Sequence, residues 1–125
     1  MITFKKGKYK ILCNFNPQDK DDIVVREVDG LLFDYNDISF GMSKYFYDNT
    51  DVLKKSDTYI ISDISTGLSI RIYPKSKNEV ETLLEEHIGI LDVLNNTNNE
   101  RLNEARRIIN KSKLGGLLNK INKGN

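Results

Sequence analysis

The apolar residues of this chain change their spacing once, and the change comes at Pro74. Before Pro74, apolar and polar residues tend to alternate, as the side chains of a half-buried strand do. After it, apolar residues recur at spacings of three and four, which is the period of an amphipathic helix. Strands first and helices last favour an α+β domain, in which an antiparallel sheet built from hairpins is followed by a C-terminal helical hairpin packed on it.

Three dipeptides before Pro74 predict hairpin turns. Lys6-Gly7 lies between two alternating runs, and Asp29-Gly30 is a strong signal because glycine supplies the positive φ of a type I′ turn. Thr66-Gly67 predicts the third turn and puts three isoleucines on a core face, namely Ile61, Ile70 and Ile72. Together the hairpins predict a sheet of about five to six strands. Residues 38–57 fit either a strand or a short helix.

Two capping boxes, "SKNE" from Ser76 to Glu79 and "TNNE" from Thr97 to Glu100, predict where the two helices begin. The first helix has a continuous apolar stripe formed by Val80, Leu83, Leu84, His87, Ile88, Leu91 and Leu94. The second has its apolar positions at Leu102, Ala105, Ile108 and Ile109. Gly115-Gly116 predicts that the second helix stops or loosens there. We therefore predict a single α+β domain over residues 1–114 and a basic C-terminal tail over residues 115–125.

The chain has 125 residues, a net charge of +1, one cysteine and one histidine. Its apolar runs are far shorter than the ~20 residues that cross a bilayer, and its start lacks the apolar region of a secretion signal. We therefore expect a soluble, cytoplasmic protein that has no membrane partner. Cys13 cannot form an internal disulfide, and His87 is the one soft co-ligand available to it, so a zinc site is not expected.

Catalysis by covalent attack needs a nucleophile beside a base, and the sequence offers no recognisable set. His87 lies on the apolar stripe of the first helix, which favours a boundary or core role over that of a general base, and Cys13 lies on an apolar strand face. The acidic stretches "QDKDD" and "DGLLFDYND" lack the spacing of a calcium loop. We expect no catalytic residue, no metal and no cofactor. An enzyme that uses carboxylates such as Glu27 and Asp34 is a minor alternative.

The two predicted helices carry opposite net charges. Residues 77–100 carry one basic and six acidic side chains, whereas residues 101–125 carry seven basic and one acidic. Helices of this kind attract each other, either within one chain or between two copies. The basic segment also supports an alternative function as a nucleic-acid-binding accessory protein, although it has no aromatic residue for base stacking.

Basic and aromatic side chains near the third hairpin and the helices form a candidate ligand site. Arg71, Tyr73 and Lys75 alternate onto one side of a strand, and Lys77 lies by a helix N-terminus, which favours anions. With three arginines of the second helix they could hold a phosphate or carboxylate; the full set is Arg71, Tyr73, Lys75, Lys77, Arg101, Arg106 and Arg107. An ordinary solvated surface explains the same pattern without a ligand.

Some apolar residues face away from the predicted core. Ile60, Ile64 and Tyr73 lie on the strand face opposite the three core isoleucines, and a helical hairpin can cover only one face of a sheet. We therefore expect a second cover, supplied by a homodimer or a higher homo-oligomer. This surface favours a binding protein over an enzyme.

The stretch "TGLSIRIYPKSKNEVETLL", followed by a second helix, resembles in layout the small phage-encoded proteins of the Thoeris anti-defence family, over about residues 8 to 113. Members of that family sequester cyclic ADP-ribose signals. The resemblance implies an oligomer that encloses a phosphorylated nucleotide, with roles for Arg71, Tyr73, Arg106 and Arg107. It also implies a protein of phage or mobile-element origin that inhibits host defence by sequestering such a signal or by blocking an immune protein.

Overall fold

The computed structural model describes residues 1–13, 23–47 and 52–123, with side chains as far as Ser112. Strands come first and helices last, so the α+β class is confirmed. The described elements are four strands, β1 (Lys5–Cys13), β2 (Val24–Tyr35), β3 (Ile38–Tyr47) and β4 (Leu53–Asp63), a 3₁₀-helix (Lys77–Glu79), and three helices, α1 (Val80–Glu86), α2 (Ile88–Asn95) and α3 (Glu100–Lys123).

The sheet is an antiparallel meander in which the described strands lie in the order β1-β2-β3-β4. The prediction of five to six strands is wrong, because two of the predicted turns lie inside strands. Gly7 of β1 pairs directly with Gly30 of β2, so neither Lys6-Gly7 nor Asp29-Gly30 turns the chain. The turn between β2 and β3 is instead Asn36-Asp37, whose φ values of 51° and 63° fit a type I′ turn. Residues 38–47, which the sequence left undecided, form β3.

The third predicted turn is real, but its second arm is not a strand. Gly67 has a φ of 70°, and its N–H donates to the carbonyl of Asp63 at 2.8 Å. Residues 68–74, which we call the strap, then run back along β4 with a single bridge, between Ser62 and Ser69. Further bonds join Ile70 N–H to the Ile61 carbonyl at 3.0 Å and Tyr59 N–H to the Pro74 carbonyl at 2.8 Å. These contacts fix the strap without making it a regular fifth strand.

The sheet curls until its two edges approach each other. The N–H of Leu12, in the edge strand β1, donates to the carbonyl of Gly67 at 2.8 Å, and Gly67 belongs to the turn that follows the other edge strand, β4. A Cβ at Gly67 would lie 2.7 Å from the Ile109 side chain and 3.0 Å from the Leu12 nitrogen. Glycine is therefore required where β1, the turn and α3 meet.

One face of the sheet packs on the helices and forms the core. Phe33, Phe40, Met42 and Ile61 of the sheet lie in one cluster with buried residues of the strap and of α1 and α2, namely Ile70, Ile72, Val80, Leu84 and Leu91. A smaller cluster joins Leu12 to Ala105 and Ile109 of α3. The prediction that Ile61, Ile70 and Ile72 share a core face is confirmed.

The predicted first helix is broken at His87, which separates α1 from α2 with φ −117° and ψ 38°. The break changes the rotation of the second half, so Ile90 packs against the core while Ile88 is exposed. The prediction of His87 as a boundary or core residue is wrong, because its ring is exposed and Nδ1 lies 2.8 Å from the Leu83 carbonyl oxygen.

The hydrogen bonds at the two helix starts differ from those of the predicted capping boxes. The Glu79 carboxylate accepts the N–H of Lys75 at 2.7 Å, while the side chain of Ser76 makes no cap bond. The cap of α3 is Asn99 rather than Thr97, since Asn99 Oδ1 accepts the N–H of Leu102 at 3.0 Å. The helix starts are thus close to the predicted ones, with different residues making the bonds.

Helix α3 continues through Gly115-Gly116 to Lys123, so of the two predicted outcomes at these glycines, a stop or a loosening, the stop is wrong. Ala105 and Ile109 are buried as predicted. Of the helices in the described ranges, none is long and apolar enough to cross a membrane.

Candidate functional site

A cavity lies on the sheet face opposite the helices and is rich in aromatic side chains. Its volume is 410 Å³, and its aromatic lining consists of Tyr9, Tyr45, Phe46, Tyr47 and Tyr73. We call it the aromatic cavity. Four of the six tyrosines of the chain contribute to it, and the described lining residues include no charged side chain. The other lining groups are small or apolar, apart from the hydroxyls of Ser62 and Ser69 and the thiol of Cys13.

Tyr9 forms the innermost part of this lining, and its side chain is only 6% exposed. Two strand glycines make room for it: a Cβ at Gly41 would lie 2.6 Å from the Tyr9 ring, and a Cβ at Gly30 would lie 3.1 Å from it. Burial raises the pKa of Tyr9 well above its ordinary value of 10.0, and a hydrogen bond with the Ser43 side chain offsets part of that rise. The phenol is therefore neutral at physiological pH.

Two other tyrosines stand at the mouth of the aromatic cavity. Tyr45 is 46% exposed and Tyr73 is 52% exposed, so a ligand in solution can reach both rings. Ile60 and Tyr73, which the sequence placed on the face away from the core, both line this cavity. Ile64 from the same prediction lies instead in a separate pocket beside Arg106.

A second cavity lies on the other side of the strap. Its volume is 480 Å³, and it is lined by Arg71 and Arg101 together with an apolar wall from α2 and the start of α3. We call it the arginine cavity. Ser69 is exposed and lines both cavities, so the two are neighbours at the surface. Arg71 has a φ of 61°, a region that residues other than glycine adopt rarely.

The seven candidate ligand residues are only partly brought together. Arg71 and Arg101 share the arginine cavity, and Tyr73 lies in the adjacent aromatic cavity. Lys75 and Lys77 are exposed beside the 3₁₀-helix. Arg106 donates to the Leu94 carbonyl at 2.6 Å and to Asn103 Oδ1 at 2.7 Å, which ties α3 to the end of α2.

The remaining candidates for binding or catalysis lie outside both cavities. Arg107 is exposed and pairs with the carboxylate of Glu104. Glu27 lies 3.6 Å from Lys8, and Asp34 accepts a hydrogen bond from Ser39 at 2.7 Å. Within the parts of the chain that the structure describes, no group of three His, Cys, Asp or Glu side chains could hold a metal ion. The "QDKDD" stretch lies outside the described residues.

Sequence reasoning missed most of the aromatic lining. Tyr9, Tyr45, Phe46 and Tyr47 were not proposed as site residues, since three of them lie in the segment whose structure was undecided. Glycines inside a strand pattern signal a close approach of another group, and Gly30 and Gly41 carried that signal.

No protein-family model, curated protein or solved structure matches the chain.

Proposed function

We propose that the protein is a non-enzymatic binding protein whose aromatic cavity receives the base of a phosphorylated nucleotide. The observation that carries this proposal is the lining itself, with five aromatic side chains and no charged group among the described lining residues. Stacking of a base on an aromatic side chain contributes about 1–3 kcal/mol. An uncharged planar ring system is the ligand group that such a cavity fits best.

The size and polarity of the cavity support the same ligand class. Its volume of 410 Å³ lies in the usual range for small-molecule sites. The hydroxyls of Ser62 and Ser69 can donate to or accept from the edge of a base. Because Tyr9 is buried and neutral, a charged ring would not find an ionised partner there.

Binding without turnover agrees with the groups present. The described lining residues offer tyrosine and serine hydroxyls and the Cys13 thiol, but no carboxylate, imidazole or amine that could act on them as a general base. A protein that holds a nucleotide signal without consuming it would lower the concentration of that signal. We propose that a homo-oligomer of phage or mobile-element origin inhibits host defence in this way; blocking of an immune protein is the variant of this proposal that needs no nucleotide.

Native mass spectrometry of the protein freshly purified from bacterial cells tests the proposal, because it reports stoichiometry and retained ligand together. We expect an assembly that carries the extra mass of a nucleotide. Tyr73→Ser should lose that mass, whereas Ile88→Ser, at a position that is 48% exposed on α2, should keep it. A bare protein in every preparation, or equal retention by the two variants, would contradict the proposal.

The alternative, a nucleic-acid-binding accessory protein, depends on the basic side chains of α3. Two of these, Arg106 and Arg107, already make contacts within the protein. Titration of a labelled oligonucleotide across a salt series separates the two functions, since phosphate-driven binding weakens steeply with salt.

A further inference from the structure

We infer that the ligand spans both cavities, with its base in the aromatic cavity and a phosphate at Arg71 in the arginine cavity. This inference rests on the proposed function and names the part of the ligand that the aromatic cavity cannot hold. A phosphate would be unpaired among the uncharged lining residues, so it must lie elsewhere. The neighbouring cavity carries guanidinium groups, whose planar N–H donors match phosphate oxygens.

The strap presents the two ligand-binding side chains close together. Ile70, Ile72 and Pro74 are buried, while Ser69, Arg71 and Tyr73 are exposed, so the strap is anchored through alternate residues. Arg71 and Tyr73 are two residues apart, and their Cα atoms can be separated by at most about 7 Å. A single nucleotide is large enough to contact both.

Ser69 supplies the connection between the cavities. It is exposed and lines both of them, so a ligand that leaves the aromatic cavity at Ser69 enters the arginine cavity directly. Its hydroxyl also accepts the N–H of Arg71 at 3.1 Å, which helps to fix the backbone that carries the guanidinium.

The backbone of Arg71 supports a functional role for this residue. In the described residues, the other non-glycine positions with positive φ are Asn36 and Asp37, which form a turn and tolerate that conformation. An arginine gains nothing locally from a φ of 61°. Strained conformations of this kind are concentrated at binding and active sites, where the side chain must be aimed.

The apolar wall of the arginine cavity strengthens an ion pair formed there. Ile90, Leu94 and Leu102 are partly buried residues that line it and exclude some of the water around a bound anion. Electrostatic attraction is stronger where the local dielectric is lower. Arg71 lines this cavity whereas Lys75 and Lys77 do not, so Arg71 is better placed to bind a phosphate.

Isothermal titration calorimetry with adenosine and with adenosine monophosphate tests the inference on the full chain. The wild type should bind the monophosphate about tenfold to a hundredfold more tightly than adenosine, as expected for charge-assisted hydrogen bonds. Arg71→Ala should remove that preference and leave adenosine binding unchanged, and Arg71→Lys should restore part of it. Lys111→Ala removes a positive charge from an exposed position of α3 and should keep the wild-type preference.

The possible failures are distinguishable. If both compounds bind alike and Arg71→Ala changes neither, the phosphate assignment is wrong while the base-binding proposal stands. If Lys111→Ala reduces the preference as much as Arg71→Ala does, the effect is one of overall charge and the assignment is also wrong. If neither compound binds the folded wild type, both the proposed function and this inference are overturned.

Discussion

Replacing Gly41 with alanine tests how the aromatic cavity is built. A Cβ at this position would lie 2.6 Å from two carbons of the Tyr9 ring, well inside contact distance, and Tyr9 is only 6% exposed. The ring must therefore move or the strands must separate. Forcing extra atoms into a packed site costs about 1–3 kcal/mol, and the lower backbone entropy of unfolded alanine offsets roughly 0.5–1 kcal/mol of that.

We expect Gly41→Ala to lower the free energy of unfolding by about 1–2 kcal/mol, which for a domain of this size lowers Tm by about 3–6 °C. Urea denaturation followed by circular dichroism measures the change. The matched control is Gly89→Ala in α2, where an added Cβ meets nothing within 4 Å. That variant should be as stable as the wild type or more stable by up to about 1 kcal/mol, because alanine favours helix.

A double-mutant cycle identifies the group responsible. In a Tyr9→Ala background the Cγ and Cδ atoms that an added Cβ would meet are absent, so Gly41→Ala should cost little there. Wild-type stability of Gly41→Ala, or an equal loss of stability with and without the Tyr9 ring, would refute the packing described for the cavity.

Three further results are expected. The pKa of Tyr9 is raised in the folded state, so ionisation of its phenol favours unfolding. The free energy of unfolding should therefore fall as the pH rises above the ordinary tyrosine value of 10.0. Tyr9→Phe should flatten that fall in urea titrations at a series of alkaline pH values. Arg71→Gly relieves a left-handed backbone conformation, so it should raise the free energy of unfolding by roughly 0.5–1 kcal/mol. It also removes the guanidinium and should weaken the binding of adenosine monophosphate. A lower free energy of unfolding would contradict backbone strain at Arg71. Cys13, the sole cysteine, lines the aromatic cavity. Saturating adenosine monophosphate should therefore slow the alkylation of Cys13 by iodoacetamide, which mass spectrometry can follow. An unchanged alkylation rate would contradict occupancy of the cavity by the nucleotide.

The sequence predicted the fold class because the period of apolar residues changes at Pro74 and burial follows that period. Ile70 and Ile72 are buried even though the strap is not a strand, since alternation of side chains depends on an extended chain and not on sheet pairing. Two of the predicted turn positions were wrong for a different reason. A glycine that turns the chain and a glycine that admits a close neighbour look the same in one sequence. An added Cβ would lie 2.6 Å from the Leu32 side chain at Gly7, and 2.3 Å from the Met42 carbonyl oxygen at Gly30.

The site was predictable only where it depends on alternation along the strap. Arg71 and Tyr73 were identified from that pattern, and the structure places them at adjacent cavities. The contribution of β3 depends on how far the sheet curls, which is set by contacts between distant parts of the chain such as the bond from Leu12 to Gly67. The break at His87 likewise changes which side chains of α2 reach the core.

Binding in the aromatic cavity can be observed directly at the tyrosine rings. Four of the six tyrosines line the cavity, whereas Tyr35 and Tyr59 pack against the core on the opposite face of the sheet. With ¹³C-labelled tyrosine, addition of adenosine monophosphate should shift the ring signals of Tyr9, Tyr45, Tyr47 and Tyr73 and leave the other two in place. No shift at saturating nucleotide, or shifts confined to Tyr35 and Tyr59, would contradict a base-binding role for the aromatic cavity.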